Sequence, residues 1–296
     1  MQGPAQKLKD LKPEKDFFIG FDSDGCVFDS MGIKHKECFC PAFINNYALQ
    51  GAAGAARETW EFVNLYSKTR GINRFPALIR AIKLLSSRPE LTSRGITPPP
   101  VDELLAWTER EKRLSQDTLN AELQVNAHPQ LQRALAWSKD VNAAVKKIVR
   151  NLPPYPQVKE ILPRAQKQAD LMVVSQTPAA ALEREWGENG LTPFVRVIAG
   201  QERGTKTEHL QLAAEGKYAP ERILMIGDAP GDLKAARAAG ALFYPIIPGR
   251  EEESWNCFRD EALERFFRGT YAGSYQQDLL AAFDAALPEN PPWAGA

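Results

Sequence analysis

The sequence has no run of about 18 apolar residues, the length that a membrane-spanning helix requires. Residues 1–16 are polar, so the N-terminal stretch also lacks the apolar centre of a signal peptide. Lysine and arginine together number 37, as do aspartate and glutamate, so no net charge attracts the chain to nucleic acid or to an anionic membrane. These absences predict a soluble cytoplasmic protein with neither nucleic acid nor a membrane as a partner.

Cysteine and histidine are also scarce. The four cysteines form no CxxC pair, and the three histidines are too few to complete a zinc site around them. We expect reduced, mostly buried thiols at Cys26, Cys38, Cys40 and Cys257. Hydrophobic residues make up 44% of the 296 positions, which is enough for one large core and a second, smaller one. Two domains are therefore predicted.

Five short apolar runs lack a helical period and predict buried strands. They are residues 17–23, 171–176, 194–200, 223–228 and 241–248. From the second run to the last, helical patterns alternate with the runs, which is typical of a parallel sheet that helices cover on both faces. The sequence therefore predicts an α/β fold for this part of the chain.

Residues 31–150 have a different pattern. They contain long amphipathic stretches, with Trp60, Trp107 and Trp137 as candidate core residues, and no strand pattern. A segment rich in Pro, Ser and Gly, residues 86–100, predicts a loop that divides them. Residues 288–296 predict a loose tail. The predicted division is a polar leader (1–15), an α/β core domain (16–30 and 151–250), an inserted helical domain (31–150) and a C-terminal helical extension (251–296).

Polar residues stand where the predicted strands end. Asp22 and Asp24 stand at the end of the first strand and Ser175 at the end of the second, while Lys206 opens the helix after the third. Asp228 and Asp232 stand at the end of the fourth strand. Because parallel sheets bind ligands beyond the carboxyl ends of their strands, we expect these side chains to face one crevice.

Several carboxylates in one crevice repel each other unless a cation offsets their charge. Oxygen ligands favour a hard ion, magnesium first. With the ion in place, a phosphate ester can be held between the metal, Lys206 and backbone N–H groups, which spread the charge that develops in phosphoryl transfer. A carboxylate needs no deprotonating base to act as the nucleophile. The residues therefore favour phosphate chemistry.

Four motifs in this order resemble those of the haloacid dehalogenase superfamily. They are Asp22-Ser23-Asp24-Gly25, Ser175, Lys206, and the stretch from Gly227 to Asp232. The residues after the first motif, Val27 to Ser30, resemble the branch that contains phosphoglycolate phosphatase and β-phosphoglucomutase. The motifs cover roughly residues 16–30 and 155–248. The resemblance implies a Rossmann-like three-layer sandwich with a central parallel sheet and an inserted all-α cap domain.

The resemblance also implies a role for each motif residue. Asp22 would attack phosphorus and form an aspartyl-phosphate, and Asp24 would act as general acid and then as general base. Ser175 and Lys206 would hold the phosphoryl oxygens. The implied magnesium ligands are the side chains of Asp22 and Asp228 and the backbone carbonyl of Asp24, with Asp232 in support. Ser23 departs from the family pattern, in which a bulkier residue is usual, and Ala229 stands where serine is common.

The inserted segment contains a basic loop with Lys68, Arg70 and Arg74. These residues could bind a second anionic group of the substrate, or they could form a solvated helix end. His35, with Lys34 and Lys36 on either side, is more simply a surface charge cluster.

The leading prediction is hydrolysis of a small phosphorylated metabolite by a monomer or homodimer. A phosphomutase remains an alternative on the same fold. So does carbon–phosphorus cleavage, in which Lys34, Lys36 or Lys68 would form a Schiff base. A non-catalytic binding protein is an alternative from a different functional class, although such a protein would be expected to have lost a motif charge and none is lost here.

Overall fold

A computed structural model describes residues 5–295 of the chain. These residues form two compact units. The sheet unit comprises residues 5–30 and 151–287, and the helical unit comprises residues 31–150 and 288–295. Within the described part of the chain, no helix is long and apolar enough to cross a bilayer.

The sheet unit contains five strands, all parallel, in the order β3-β2-β1-β4-β5. They are β1 (Phe17–Phe21), β2 (Ala169–Val174), β3 (Val197–Ala199), β4 (Ile223–Gly227) and β5 (Leu242–Pro245). The predicted parallel sheet is thus confirmed. Four strands are shorter than the apolar runs that predicted them, and β2 has the same length but begins and ends two residues earlier, because the last residues of each run leave the ladder and form the loops beyond the strand.

Alternate side chains of each strand enter two separate cores, as the period of two in a strand requires. Ile19 and Phe21 of β1 lie in one core, and Phe18 lies in the other. The first core is covered by helices Val158–Ala165 and Ala179–Glu188 and by the helical segment 251–267. The second is covered by helices Lys206–Ala213, Pro230–Ala238 and Ser274–Ala286. The three-layer sandwich is therefore confirmed, and the two C-terminal helical segments pack on opposite faces of the sheet.

The remaining helical pieces of the sheet unit are short. They are helix Gln6–Lys9, the 3-10 turns Thr192–Phe194, Gln201–Arg203 and Pro220–Arg222, and the three parts of segment 251–267, namely Glu251–Cys257, the π-helical turn Phe258–Ala262 and Leu263–Phe267. Helix Gln6–Lys9 carries Leu8, which is fully buried in the second core. The leader therefore contributes an apolar contact to the fold.

The helical unit has no strand among the residues that the structure describes. Its helices are Ser30–Ile33, the π-helical turn Lys34–Phe39, Cys40–Asn46, Ala53–Leu65, Arg74–Ser86, Pro89–Thr92, Asp102–Arg110, Gln116–Val125 and Pro129–Ile148, with a 3-10 turn at Gln50–Ala52. Trp60, Trp107 and Trp137 are fully buried in its core, as the sequence predicts. The predicted loop 86–100 contains a helical turn, Pro89–Thr92, because Leu91 is buried in the same core.

The C-terminal tail packs on the helical unit instead of being loose. It ends in a 3-10 turn, Pro292–Gly295. The Trp293 ring meets Phe62 edge-on at 5.6 Å between ring centroids, and the Arg88 guanidinium lies 4.4 Å from the centre of the Trp293 ring. Arg80 Nη2 donates to the carbonyl of Glu289 at 2.8 Å.

Candidate active site

Three carboxylates meet beyond the carboxyl ends of the two central strands. Asp22 follows β1, and its backbone N–H donates to the Ile226 carbonyl of β4 at 2.9 Å, so the pairing of the strands continues into the loop. This brings Asp22 beside Asp228, which follows β4. Asp22, Asp228 and Asp232 each offer a carboxylate oxygen, and these oxygens lie within 4.8 Å of one another. All three side chains are buried.

Lys206 joins this group of carboxylates. It opens helix Lys206–Ala213, whose start is capped by the Thr205 hydroxyl and Glu208. The Lys206 ammonium Nζ lies 2.8 Å from Asp22 Oδ2 and 2.6 Å from Asp232 Oδ1. The structure therefore brings together four of the side chains that the sequence predicts for the site.

The charges of this group perturb one another strongly. Burial raises the pKa of Asp22 well above its usual value, and the charges of Asp232 and Asp228 add to this, while Lys206 opposes it. Burial acts to lower the pKa of Lys206, but Asp22 and Asp232 outweigh it and the pKa is raised. Three ionised carboxylates and one ammonium carry two net negative charges. The donor set consists of carboxylate oxygens and therefore fits a hard divalent cation such as Mg²⁺.

Two hydroxyls donate to the Asp24 carboxylate. Ser30 Oγ donates to Asp24 Oδ1 at 2.5 Å, and Thr177 Oγ1 donates to Asp24 Oδ2 at 2.7 Å. A hydroxyl can donate to a carboxylate and can also accept from a protonated carboxyl, so both protonation states of Asp24 can be held in this position. Sequence reasoning missed Thr177, for which the only signal was its place two residues after Ser175.

Ser175 is buried at the end of β2. Its N–H donates to the Ala199 carbonyl at 3.0 Å, and its Oγ accepts from the N–H of Thr177 at 3.2 Å. Ser175 therefore shapes the turn that carries Thr177 to Asp24.

Asp232 has a structural role besides its ion pair. Its Oδ2 accepts from the N–H of Ala229 at 3.1 Å and so caps helix Pro230–Ala238. The side chain passes so close to Gly227 that a Cβ on that residue would lie 2.5 Å from it. Only glycine fits at position 227, which explains why β4 ends in glycine.

The predicted basic residues of the helical unit have partners within that unit. Arg70 is buried and donates to the Leu65 carbonyl at 3.0 Å, and the backbone N–H of Lys68 donates to the Pro288 carbonyl at 3.3 Å. Arg74 Nη1 donates to Ser138 Oγ at 3.0 Å and to Asn142 Oδ1 at 2.8 Å. Burial lowers the pKa of Arg74 to about 10. Their contact with substrate stays a prediction.

Comparison with known sequences identifies one family. The family described as haloacid dehalogenase-like hydrolase matches residues 94–245, which is just over half of the chain. The match begins in the helical unit and includes Ser175, Lys206, Asp228 and Asp232, but it does not reach Asp22. Asp22 is assigned to the site by its contact with Lys206 and by its closeness to Asp228 and Asp232. No match was found among curated proteins.

Several solved structures are similar to this chain. A haloacid dehalogenase-like family hydrolase from Streptococcus pneumoniae is 15% identical, with 81% of this chain and 90% of that chain covered and a TM-score of 0.43. A predicted phosphoglycolate phosphatase from Haemophilus somnus is 17% identical, with 81% and 93% covered and a TM-score of 0.49. A predicted β-phosphoglucomutase from Thermotoga maritima is 18% identical, with 77% and 84% covered and a TM-score of 0.40. Scores this low carry no argument about activity.

Proposed function

The chain belongs to the haloacid dehalogenase-like hydrolases, and we propose that it is a magnesium-dependent phosphatase that acts on a small phosphate monoester. One observation carries the proposal. Two carboxylates of the same short loop have different partners: Asp22 is paired with Lys206 beside Asp228 and Asp232, and Asp24 accepts from the hydroxyls of Ser30 and Thr177. Different surroundings suit different roles, one as nucleophile and one as acid and base.

Asp22 and Asp228 would hold the magnesium ion together with the backbone carbonyl of Asp24, and Asp232 would support them through Lys206. When bound, the ion offsets the negative charge of the site and of the phosphate. Lys206 and Ser175 would orient the phosphoryl oxygens. Lys206 would also keep the Asp22 carboxylate in place for attack, through the 2.8 Å contact between Nζ and Oδ2.

In the first step, an Asp22 oxygen bonds to phosphorus, the ester P–O bond breaks, and Asp24 gives its proton to the leaving oxygen. In the second step, Asp24 takes a proton from water, and the resulting hydroxide displaces Asp22 from phosphorus. The products are the alcohol and inorganic phosphate. Asp24 ends in its starting protonation state. The hydroxyls of Ser30 and Thr177 can hydrogen-bond to Asp24 whether it is protonated or ionised.

The test uses p-nitrophenyl phosphate, whose leaving group departs without protonation. Wild-type protein should release p-nitrophenolate in the presence of Mg²⁺, and Asp22→Asn should release none. Asp24→Asn should give a burst of about one equivalent per active site and then stall, because the aspartyl-phosphate can form but cannot be hydrolysed. Asp278→Asn, at an exposed position of helix Ser274–Ala286, is the matched control and should behave as wild type. Unchanged turnover in Asp22→Asn would contradict the mechanism.

Carbon–phosphorus cleavage through Lys36 is less well supported than hydrolysis. A Schiff-base lysine needs a lowered pKa. Partial burial acts to lower the pKa of Lys36, but Tyr66 and Glu61 raise it above its usual value, and Lys36 Nζ lies 3.4 Å from Glu61 Oε2. A phosphomutase would share the first step, and isomer formation without free phosphate would identify it.

The proposal includes a second anionic group on the substrate, bound by Lys68, Arg70 or Arg74. Arg74 is the residue chosen for the test, because burial lowers its pKa and its guanidinium donates to the neutral oxygens Ser138 Oγ and Asn142 Oδ1. An anion would supply the counter-charge that these neutral acceptors do not. Arg74→Gln should raise the KM for substrates with a second anionic group more than the KM for p-nitrophenyl phosphate. Equal changes for both substrate classes would contradict this assignment.

A further inference from the structure

The loop that carries both catalytic carboxylates, residues 22–30, is a tightly folded turn, here called the catalytic turn. The Ser23 carbonyl accepts from the N–H groups of Val27 and Phe28, both at 3.0 Å. The N–H of Gly25 donates to the Phe28 carbonyl at 2.8 Å, and Gly25 has a φ of +77°, a conformation that favours glycine. These bonds fold the turn on itself. Its backbone is attached to the rest of the sheet unit at Val27, whose carbonyl accepts from the N–H of Tyr155 at 3.0 Å, and two buried side chains attach it further.

Trp186 provides one attachment. Its fully buried indole Nε1 donates to Ser23 Oγ at 3.0 Å, and its ring meets Phe28 edge-on at 6.1 Å between centroids. Ser23 stands between Asp22 and Asp24, and its own N–H donates to Asp22 Oδ1 at 2.8 Å. A bond that fixes Ser23 therefore affects the orientation of both neighbouring carboxylates. The small polar side chain at position 23 is what allows the indole to reach the turn.

Trp255 provides a second attachment. Its fully buried indole Nε1 donates to the Cys26 carbonyl at 2.8 Å, and its ring stacks on Phe21, the residue before Asp22, at 6.5 Å and 15°. Trp255 lies in helix Glu251–Cys257, beyond the residues 94–245 that match the family. The C-terminal helical segment thus contributes a hydrogen bond to the loop that carries the nucleophile.

We infer that Trp186 and Trp255 are positioning residues. Their indole N–H groups hold the catalytic turn in place and so fix the orientation of the Asp22 and Asp24 carboxylates. The inference rests on the proposed function for its effect on turnover. Displacement of a catalytic group by about 1 Å can cost about 100-fold in rate, whereas loss of one neutral hydrogen bond has only a small effect on stability. Loss of either indole N–H should therefore reduce turnover more than it reduces stability.

The test replaces each tryptophan by phenylalanine, which keeps an aromatic ring and removes the N–H donor. Trp186→Phe and Trp255→Phe should each lower kcat about tenfold and leave KM within about twofold, because binding groups stay while the attack geometry changes. Ser23→Ala removes the acceptor of Trp186. Its effect should add only in part to that of Trp186→Phe, since both remove the Trp186–Ser23 bond while Ser23→Ala also removes the 3.4 Å bond from Ser23 Oγ to Glu185 Oε2. It should multiply the effect of Trp255→Phe. The matched control is Trp107→Phe in the helical unit, where the buried indole Nε1 has no partner among the described residues; its kcat should be unchanged.

Hydrogen exchange of the peptide that spans residues 22–30 gives a readout that does not depend on the reaction. In metal-free protein, its amides should exchange faster in both tryptophan variants and at the wild-type rate in Trp107→Phe. Wild-type exchange rates in Trp186→Phe and Trp255→Phe, or a kcat within twofold of wild type, would overturn the inference. If the wild-type protein showed no turnover while the variants still exchanged faster, the proposed function would be refuted. The positioning role of the two tryptophans would remain supported.

Discussion

Replacing Asp228 by asparagine should stabilise the metal-free protein while it abolishes the response to magnesium. The neighbouring oxygens of Asp22 and Asp232 lie within 4.8 Å of an Asp228 oxygen. Two unit charges at that separation repel by about 3 kcal/mol at an effective dielectric constant of about 20. Lys206 offsets part of this repulsion, so we expect Asp228→Asn to raise the free energy of unfolding by about 1–3 kcal/mol. The new amide can donate to the two remaining carboxylates.

Magnesium should act on the wild type and on Asp228→Asn in different ways. A ligand at 100 times its Kd stabilises the folded state by about 2.7 kcal/mol. Wild-type protein should gain this amount on saturation with Mg²⁺, and Asp228→Asn should gain little. Calorimetry with chelator and then with Mg²⁺ measures both effects, because 1 kcal/mol shifts the Tm of a protein of this size by about 2–4 °C.

Asp170→Asn is the matched control, since Asp170 is also a buried aspartate of the sheet unit but lies at the start of β2. Burial acts to raise the pKa of Asp170, but donors on Tyr218, Glu14, Arg196 and Lys15 hold it below its usual value. Loss of this charge should lower the free energy of unfolding by about 2–4 kcal/mol and leave the Mg²⁺ response intact. If Asp228→Asn melted below wild type in chelator, or still gained stability from Mg²⁺, the repulsion argument would be refuted.

Three further predictions concern stability. Lys206→Met should lose about 3–5 kcal/mol in urea unfolding at pH 7 without metal, because Asp22 and Asp232 lose their buried counter-charge; an unchanged midpoint would contradict the ion pairs. Trp293→Ala should destabilise the helical unit by about 1–3 kcal/mol, read by limited proteolysis, whereas a loose tail would show no change. Burial, aided by Lys206, lowers the pKa of His209 from its usual 6.5 to about 4. Between those pH values only the unfolded chain takes up this proton, so stability should fall with acidification by up to about 1.4 kcal/mol per pH unit, and His209→Leu should remove that slope.

The amino-acid pattern alone was enough to place the strands and the candidate site residues along the chain. A buried parallel strand needs an apolar run, so all five strands were visible in the sequence and only their ends differed. Parallel strands end at one edge of the sheet, so polar residues at the ends of the runs, such as Asp22 and Asp228, could be expected to meet. The prediction of a loose tail is wrong, because its prolines and glycine suggest a loose segment whereas Trp293 packs against the core of the helical unit.

The sequence by itself therefore determined the class of fold, the order of its elements and the set of acidic and basic residues at the strand ends. Local hydrophobic periodicity indicates the strands and helices, and the polar residues stand at the ends of the apolar runs. Only the tertiary structure decided which residues pair. Lys206 lies between Asp22 and Asp232, Thr177 donates to Asp24, and the Trp255 indole donates to the Cys26 carbonyl. Periodicity records that a side chain is buried. It holds no information about which distant residue will lie 3 Å away, because that depends on how the helices pack on the sheet.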